Sequence, residues 1–199
     1  KPSKPDAAPL SAKSIKNIHG VLHKALKQAV LIGYLRTNPT EACILPRIIR
    51  KEMHPLEEDQ VAVFLREVQG HPHEYLYKIA LFTGLREGEV LGLGWEHIDF
   101  QAGTLTVKRQ LRREQKKGGE YYFSPPKNNK SRCLTLAPSV IQLFRLQKLE
   151  QNSMRMEAGD AWEEHGLIFT NQTGGYLSYR TVYDCFKRIV RNIGAPATR

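Results

Sequence analysis

Two basic side chains in unlike surroundings carry the chemistry this chain could do. Arg86 follows Leu81-Phe82-Thr83-Gly84-Leu85 and opens the acidic run Glu87-Gly88-Glu89, ahead of Val90-Leu91. Lys127 follows Pro125-Pro126 and precedes Asn128-Asn129-Lys130-Ser131-Arg132-Cys133-Leu134-Thr135-Leu136. A guanidinium fork donates two parallel charge-assisted hydrogen bonds and suits an oxyanion that gains charge during a reaction. A lysine ammonium is a mobile point charge and a proton donor. Glu89, three residues after Arg86, shares its helical face and can fix its orientation by a hydrogen bond. Glu87 lies on another face and is the weaker candidate for that task. Each has a plainer reading. Gly-Leu-Arg before acids at a helix start is often a surface ion pair, and Lys127, in a Lys- and Asn-rich turn, could be solvated charge, with Lys130 a rival for its task.

Elements that would position these residues follow from periodicity. The Pro-rich residues 1–10 read as a flexible arm or linker. Ser11 can cap a helix whose Ile15, Ile18, Leu22, Leu26 and Ala29 recur at steps of three and four, with Lys13, Lys16, Lys24 and Lys27 pointing elsewhere. That helix breaks near Gly33, and Asn38-Pro39 marks a turn. Residues 47–55, charged and closed by a proline, read as a linker between an amino-terminal helical region (11–46) and a second region (56–199). In the latter, helices are expected near 57–69 and 74–83, and from Arg86 to about Leu93. Strands are expected at Gly103–Val107, near Tyr121–Phe123 and near Arg132–Leu136, with Arg112–Gly119 as an exposed hairpin tip. Pro138 then starts a helix containing Val140, Ile141, Leu143, Phe144 and Leu146. Gly166–Phe169, a Gly174-Gly175 turn and a final helix from Ser178 to about Ile193 close the chain. The expected class is mainly α with a small antiparallel β-sheet (α+β).

The Thr-Gly-Leu-Arg-x-Gly-Glu and Pro-Lys-x-x-x-Ser-Arg segments together resemble the conserved boxes of tyrosine recombinases, the phage and transposon integrases. The resemblance runs from about Ser11 to the carboxyl end and includes the Asn38-Pro39 turn, the Trp95…Asp99 segment and Leu167-Ile168-Phe169. It implies part of a helical core-binding domain, a linker, and a catalytic domain in which the first arginine follows a Thr-Gly-Leu turn and the lysine lies on a β-hairpin. In that family a His-x-x-Arg box, a further His or Trp and the tyrosine nucleophile follow the segment that ends here at Arg199. The nucleophile is therefore expected outside this chain, and the fragment alone is expected to be inactive. The first half of the core-binding domain and any arm-type DNA-binding domain are expected to be missing too.

The resemblance assigns roles. Arg86 would bind the nonbridging oxygens of the attacked DNA phosphodiester, Glu89 would orient it, and Lys127 would protonate the leaving 5′ oxygen from a hairpin reaching into the minor groove. Lys130, Ser131 and Arg132 are expected to contact backbone phosphate or to stabilise their strand. Lys13, Lys16, Lys24 and Lys27 would meet the backbone from the core-binding domain. The implied activity is site-specific recombination through a 3′-phosphotyrosyl intermediate and a Holliday junction, without cofactor or metal. The implied partners are double-stranded DNA at attachment or transposon-end sites, a homo-tetramer on paired sites, and an accessory excision or DNA-bending protein.

Composition agrees. Lys and Arg total 30 against 20 Asp and Glu, a net charge of +10 that favours polyanions through counterion release. A ribosomal or RNA-binding protein would show the same balance, so a basic RNA-binding protein and a DNA-binding relative that has lost catalysis both stay open. Cys43, Cys133 and Cys185 have no metal-ligand spacing, which suits a reducing interior and so the cytoplasm; the resemblance implies a bacterial, nucleoid-associated protein. No apolar run approaches the roughly 20 residues of a membrane span. His19 and His23, at i and i+4, lack a third ligand and are expected to be exposed or on DNA; His71-Pro72-His73 reads as a loop. Gly118-Gly119 and Gly174-Gly175 lack the Lys-Ser/Thr of a phosphate loop. Tyr176, Tyr179 and Tyr183 read as core or groove residues.

Overall fold

A computed structural model describes residues 9–49, 55–116 and 118–195. The chain divides into two units, 1–53 and 54–199. The first eight residues and 50–54 of the expected linker lie outside the described residues.

The first unit is built on α1 (Ala12–Leu31). The Ser11 hydroxyl accepts from the Ser14 amide at 3.1 Å and caps it. Asn38 caps a short 3-10 turn, Pro39–Ala42, which folds back onto α1. The side covered by this turn is not the one its apolar spacing suggests. His19 Nε2 lies 3.1 Å from the Thr40 carbonyl, and His23 Nδ1 lies 2.9 Å from the Thr40 hydroxyl. Asn38 donates to the His23 carbonyl at 3.1 Å. The two imidazoles are thus half-buried and hydrogen-bonded, where exposure or DNA contact was expected. Ile15, Ile18 and Leu22 remain exposed within this unit.

The second unit opens with α2 (Glu58–Glu67) and α3 (Glu74–Thr83). Phe64 of α2 meets Tyr77 of α3 edge-on at 6.2 Å. The arginine-capped helix is α4 (Glu87–Leu91). Strands β1 (Ile98–Asp99), β2 (Thr104–Val107), β3 (Gln110–Arg113), β4 (Tyr121–Ser124) and β5 (Arg132–Thr135) follow, and then α5 (Pro138–Ala158) and α6 (Tyr179–Asn192). The core gathers Ile79, Leu93, Leu105, Phe144 and Ile168, all fully buried, beneath α3 and α5. Buried Gln147 and Gln151 of α5 donate to the carbonyls of Ile168 and Leu167 at 3.1 and 2.8 Å, while Leu167 bridges Gly94 antiparallel and the Ile168 amide donates to the Leu93 carbonyl at 3.0 Å, so side chains and backbone together satisfy the Leu167–Phe169 segment.

The strands form two antiparallel sheets rather than one: a three-stranded sheet in the order β1-β2-β5, and a separate β3-β4 hairpin. β1 and β3 were not foreseen. Arg112 and Arg113 belong to β3, and the hairpin turn begins at Glu114, whose amide donates to the Glu120 carbonyl at 3.0 Å. The hairpin is held by rings. Tyr176 stacks on Tyr121 at 5.1 Å and on His165 at 4.5 Å, while the Arg109 guanidinium lies 4.1 Å from the Phe123 centroid. Among the described residues, no helix is long and apolar enough to cross a membrane.

Candidate active site

Helix α3 must end abruptly for Arg86 to face outward. The Thr83 hydroxyl donates back to the Ile79 carbonyl at 2.6 Å, and Gly84 adopts φ 62°, a left-handed conformation that an L side chain resists. Leu85 is buried, which anchors the turn. Arg86 is then extended, with φ −69° and ψ 148°, and caps α4. Glu89, on the third position of that helix, reaches back so that the Arg86 amide donates to its carboxylate at 2.9 Å, the returning half of a capping box.

The same carboxylate collects two guanidiniums. Arg86 Nη1 donates to Glu89 Oε1 at 3.1 Å, and Arg132 donates from Nη1 and Nη2 to Oε1 and Oε2 at 2.9 and 2.7 Å. Glu89 is 1% exposed, whereas the Arg86 side chain is 61% exposed. The fork from Arg132 is the largest of the influences that hold the Glu89 carboxyl at about 2, against the opposing effect of burial. Two cations on one buried anion leave an excess positive charge, with Arg86 as its exposed member. That arrangement can bind an oxyanion without losing the orientation of the donor.

Glu87, one residue from Arg86, has the opposite electrostatics. Its Oε1 is buried with no hydrogen-bond partner, and burial pushes the carboxyl up to about 7, only partly offset by a hydrogen bond with Tyr179. Tyr179 is exposed and stacks on Tyr183 at 6.0 Å; it lines a cleft of about 590 Å³ with Gly88, Arg112, Tyr122 and Arg180.

Lys127 and Lys130 are both exposed in the connection between β4 and β5, where the Asn129 amide donates to the Pro126 carbonyl at 2.8 Å. Because β4 pairs with β3 and β5 with β2, Lys127 lies on a crossover between two sheets, not on a hairpin as expected. Ser131 is exposed beside them. Lys13, Lys24 and Lys27 are exposed and Lys16 half-buried on α1, in the other unit. The structure therefore joins Arg86, Glu89 and Arg132 directly. The bond from Arg132 to Glu89 was missed, yet a signal existed: Arg132 has the same strand parity as Leu134 and Leu136, the inward phase, where an arginine needs a buried anion. Among the described residues no cluster could hold a metal ion.

Comparison with known proteins decides the family. The phage integrase family matches residues 51–198. The chain belongs to the phage integrase family. An XerC-like tyrosine recombinase of Caldanaerobacter subterraneus subsp. tengcongensis is 27% identical over 94% of this integrase-family chain and 52% of its own length. An integrase of Streptomyces ambofaciens is 28% identical over 94% of the chain and 48% of its own. The chain thus spans about half the length of these curated relatives. Among solved structures, the Tn1549 transposon integrase in complex with transposon right-end DNA superposes with a TM-score of 0.76 at 27% identity, over 92% of this chain and 59% of that one. A λ integrase dimer bound to a core site shares the fold, with a TM-score of 0.60 at 21% identity, over 94% of this chain and 47% of that one.

Proposed function

We propose that this chain supplies the DNA-binding surface and the first-arginine half of the active site of a tyrosine-type, site-specific recombinase of a mobile genetic element. The observation that carries the reading is the exposed Arg86 guanidinium held by a buried carboxylate within a chain of this family. In this reading Arg86 binds the nonbridging oxygens as charge builds at phosphorus, and Glu89 keeps the donor preorganised, so little reorganisation is needed at the transition state. Lys127 delivers a proton to the departing 5′ oxygen. Segments of the family beyond those matched here supply a second arginine, a histidine and the attacking tyrosine. The bond energy of the broken phosphodiester is kept in a 3′-phosphotyrosyl link, and exchange of strands proceeds through a Holliday junction within a homo-tetramer on paired sites, in the bacterial cytoplasm.

The test uses a protein carrying this chain together with the second-arginine and tyrosine segments. Arg86→Ala should cut covalent-adduct formation on a nicked attachment-site duplex by an amount equivalent to about 3 to 4 kcal/mol in the transition state, while DNA binding is largely kept. An adduct formed at the parental rate by Arg86→Ala would remove the reading. This chain by itself should bind duplex DNA and form no adduct on a denaturing gel.

A further inference from the structure

The segment carrying Lys127 begins at two prolines, neither of which has an amide hydrogen to tie it to a neighbour. Its first foot is held from outside. Gln110, the first residue of β3, donates its side-chain amide to the Pro125 carbonyl at 2.6 Å. Gln110 itself is seated against α4: a Cβ placed on Gly88 would lie 3.7 Å from both its Cβ and its Oε1, and one on Gly92 would lie 3.1 Å from its Cα. The adjoining Arg109 binds the Gly92 carbonyl through Nε at 2.9 Å and Glu96 through Nη2 at 3.1 Å, which keeps the start of β3 on the helix. The second foot is Arg132 on Glu89, also α4. Pro126 between them is buried, and Lys127 to Ser131 are exposed.

We propose that Gln110 is a positioning residue for Lys127: by holding Pro125 against α4 it fixes where the lysine segment stands relative to Arg86, the residue that caps the same helix. This inference rests on the reading of Lys127 as the proton donor. Gln110→Met keeps the length of the side chain and removes the donor, and Gln110→Glu sets a second acceptor against the Pro125 carbonyl.

In this chain alone, Gln110→Met should speed amide hydrogen exchange in 127–131 with the melting temperature unchanged, and Gln110→Glu should speed it further. In a protein that also carries the second-arginine and tyrosine segments, Gln110→Met should slow cleavage of an ordinary duplex by about tenfold, a fraction of the 10²–10⁴ of a lost general acid. A duplex whose bridging 5′ oxygen is sulfur needs no protonated leaving group, and both Gln110→Met and Lys127→Ala should cleave it at the parental rate. If sulfur rescues Lys127→Ala but not Gln110→Met, or if Gln110→Met slows neither substrate, the role of Gln110 is overturned and that of Lys127 stands. If sulfur rescues neither variant, the reading of Lys127 falls and takes this inference with it.

Discussion

Arg132 grips Glu89 with both terminal nitrogens, at 2.9 and 2.7 Å, across 43 residues of sequence. This fork joins the strand that follows Lys127 to the helix that Arg86 caps. It also makes Glu89 a shared anchor, since the Arg86 amide and guanidinium occupy the same carboxylate.

Glu89→Gln should cost about 1 to 3 kcal/mol in urea unfolding, because it takes the charge from a buried carboxylate that accepts from two guanidiniums, while Arg132, 37% exposed, keeps part of its hydration. The pH dependence has a definite sign. The folded carboxyl lies at about 2, below its ordinary 4.5, so the stability it contributes is complete above pH 4.5 and is lost as pH falls toward 2. Unfolding of the parent and Glu89→Gln measured between pH 5 and 2.5 should converge as pH falls. A gap that stays constant across that window would exclude the ionised carboxylate as the source.

Glu87 should act in the opposite sense. Its folded carboxyl is raised to about 7, so the favourable contribution is present below pH 4.5 and is lost as pH rises through 7. Glu87→Gln should therefore melt higher than the parent at pH 8 and show a smaller fall in melting temperature between pH 5 and 8. Equal falls in the two proteins would contradict the burial argument.

Gly92 lets α4 and β3 touch backbone to backbone. A Cβ there would lie 2.8 Å from the Leu111 amide nitrogen, a contact that only movement of the strand can relieve. Gly92→Ala should destabilise by about 1 to 3 kcal/mol, as overpacking does. Gly20, with open space around it, is the matched control, and its alanine variant should not lower the melting temperature.

Lys127 and Lys130 occupy the same exposed segment, and one experiment separates them. In a protein that also carries the second-arginine and tyrosine segments, Lys127→Ala should slow cleavage of an ordinary duplex by about 10²–10⁴ and recover on the 5′-sulfur substrate. Lys130→Ala should lose affinity alone. Recovery confined to Lys130→Ala would reverse the assignment.

Lys13, Lys16, Lys24 and Lys27 are expected to touch backbone phosphate. Each contact that exists should contribute about 0.9 to the slope of log affinity against log salt. Alanine at all four should flatten that slope by several such steps and weaken binding alike on specific and unrelated duplexes. An unchanged slope would leave them as solubilising charge.

What the sequence determined by itself was local. Ser11 ahead of α1, the Thr83-Gly84 stop and the Asn38-Pro39 turn are each readable because capping and left-handed turns depend on a few adjacent residues, and α6 does start after Ser178, although that serine's side chain makes no capping hydrogen bond. Glu89 beside Arg86 was readable too, but for another reason than a shared helical face: Arg86 is the extended cap, not a helical residue, and Glu89 returns to it from the third helical position as in a capping box. Tertiary structure decided the rest. The alternation of β5 points Arg132 inward, but only its pairing with β2, Val107 opposite Arg132, sets that inward face under α4 and so selects Glu89 as its partner. The placing of Lys127 on a crossover turned on which strands pair across the inserted β3-β4 hairpin, a choice made by contacts far apart in the chain. His19 and His23 show the same limit: their spacing fitted an exposed face, and a turn some twenty residues away covered them, because two polar rings satisfied by Thr40 and Asn38 cost less to bury than their sequence neighbours imply.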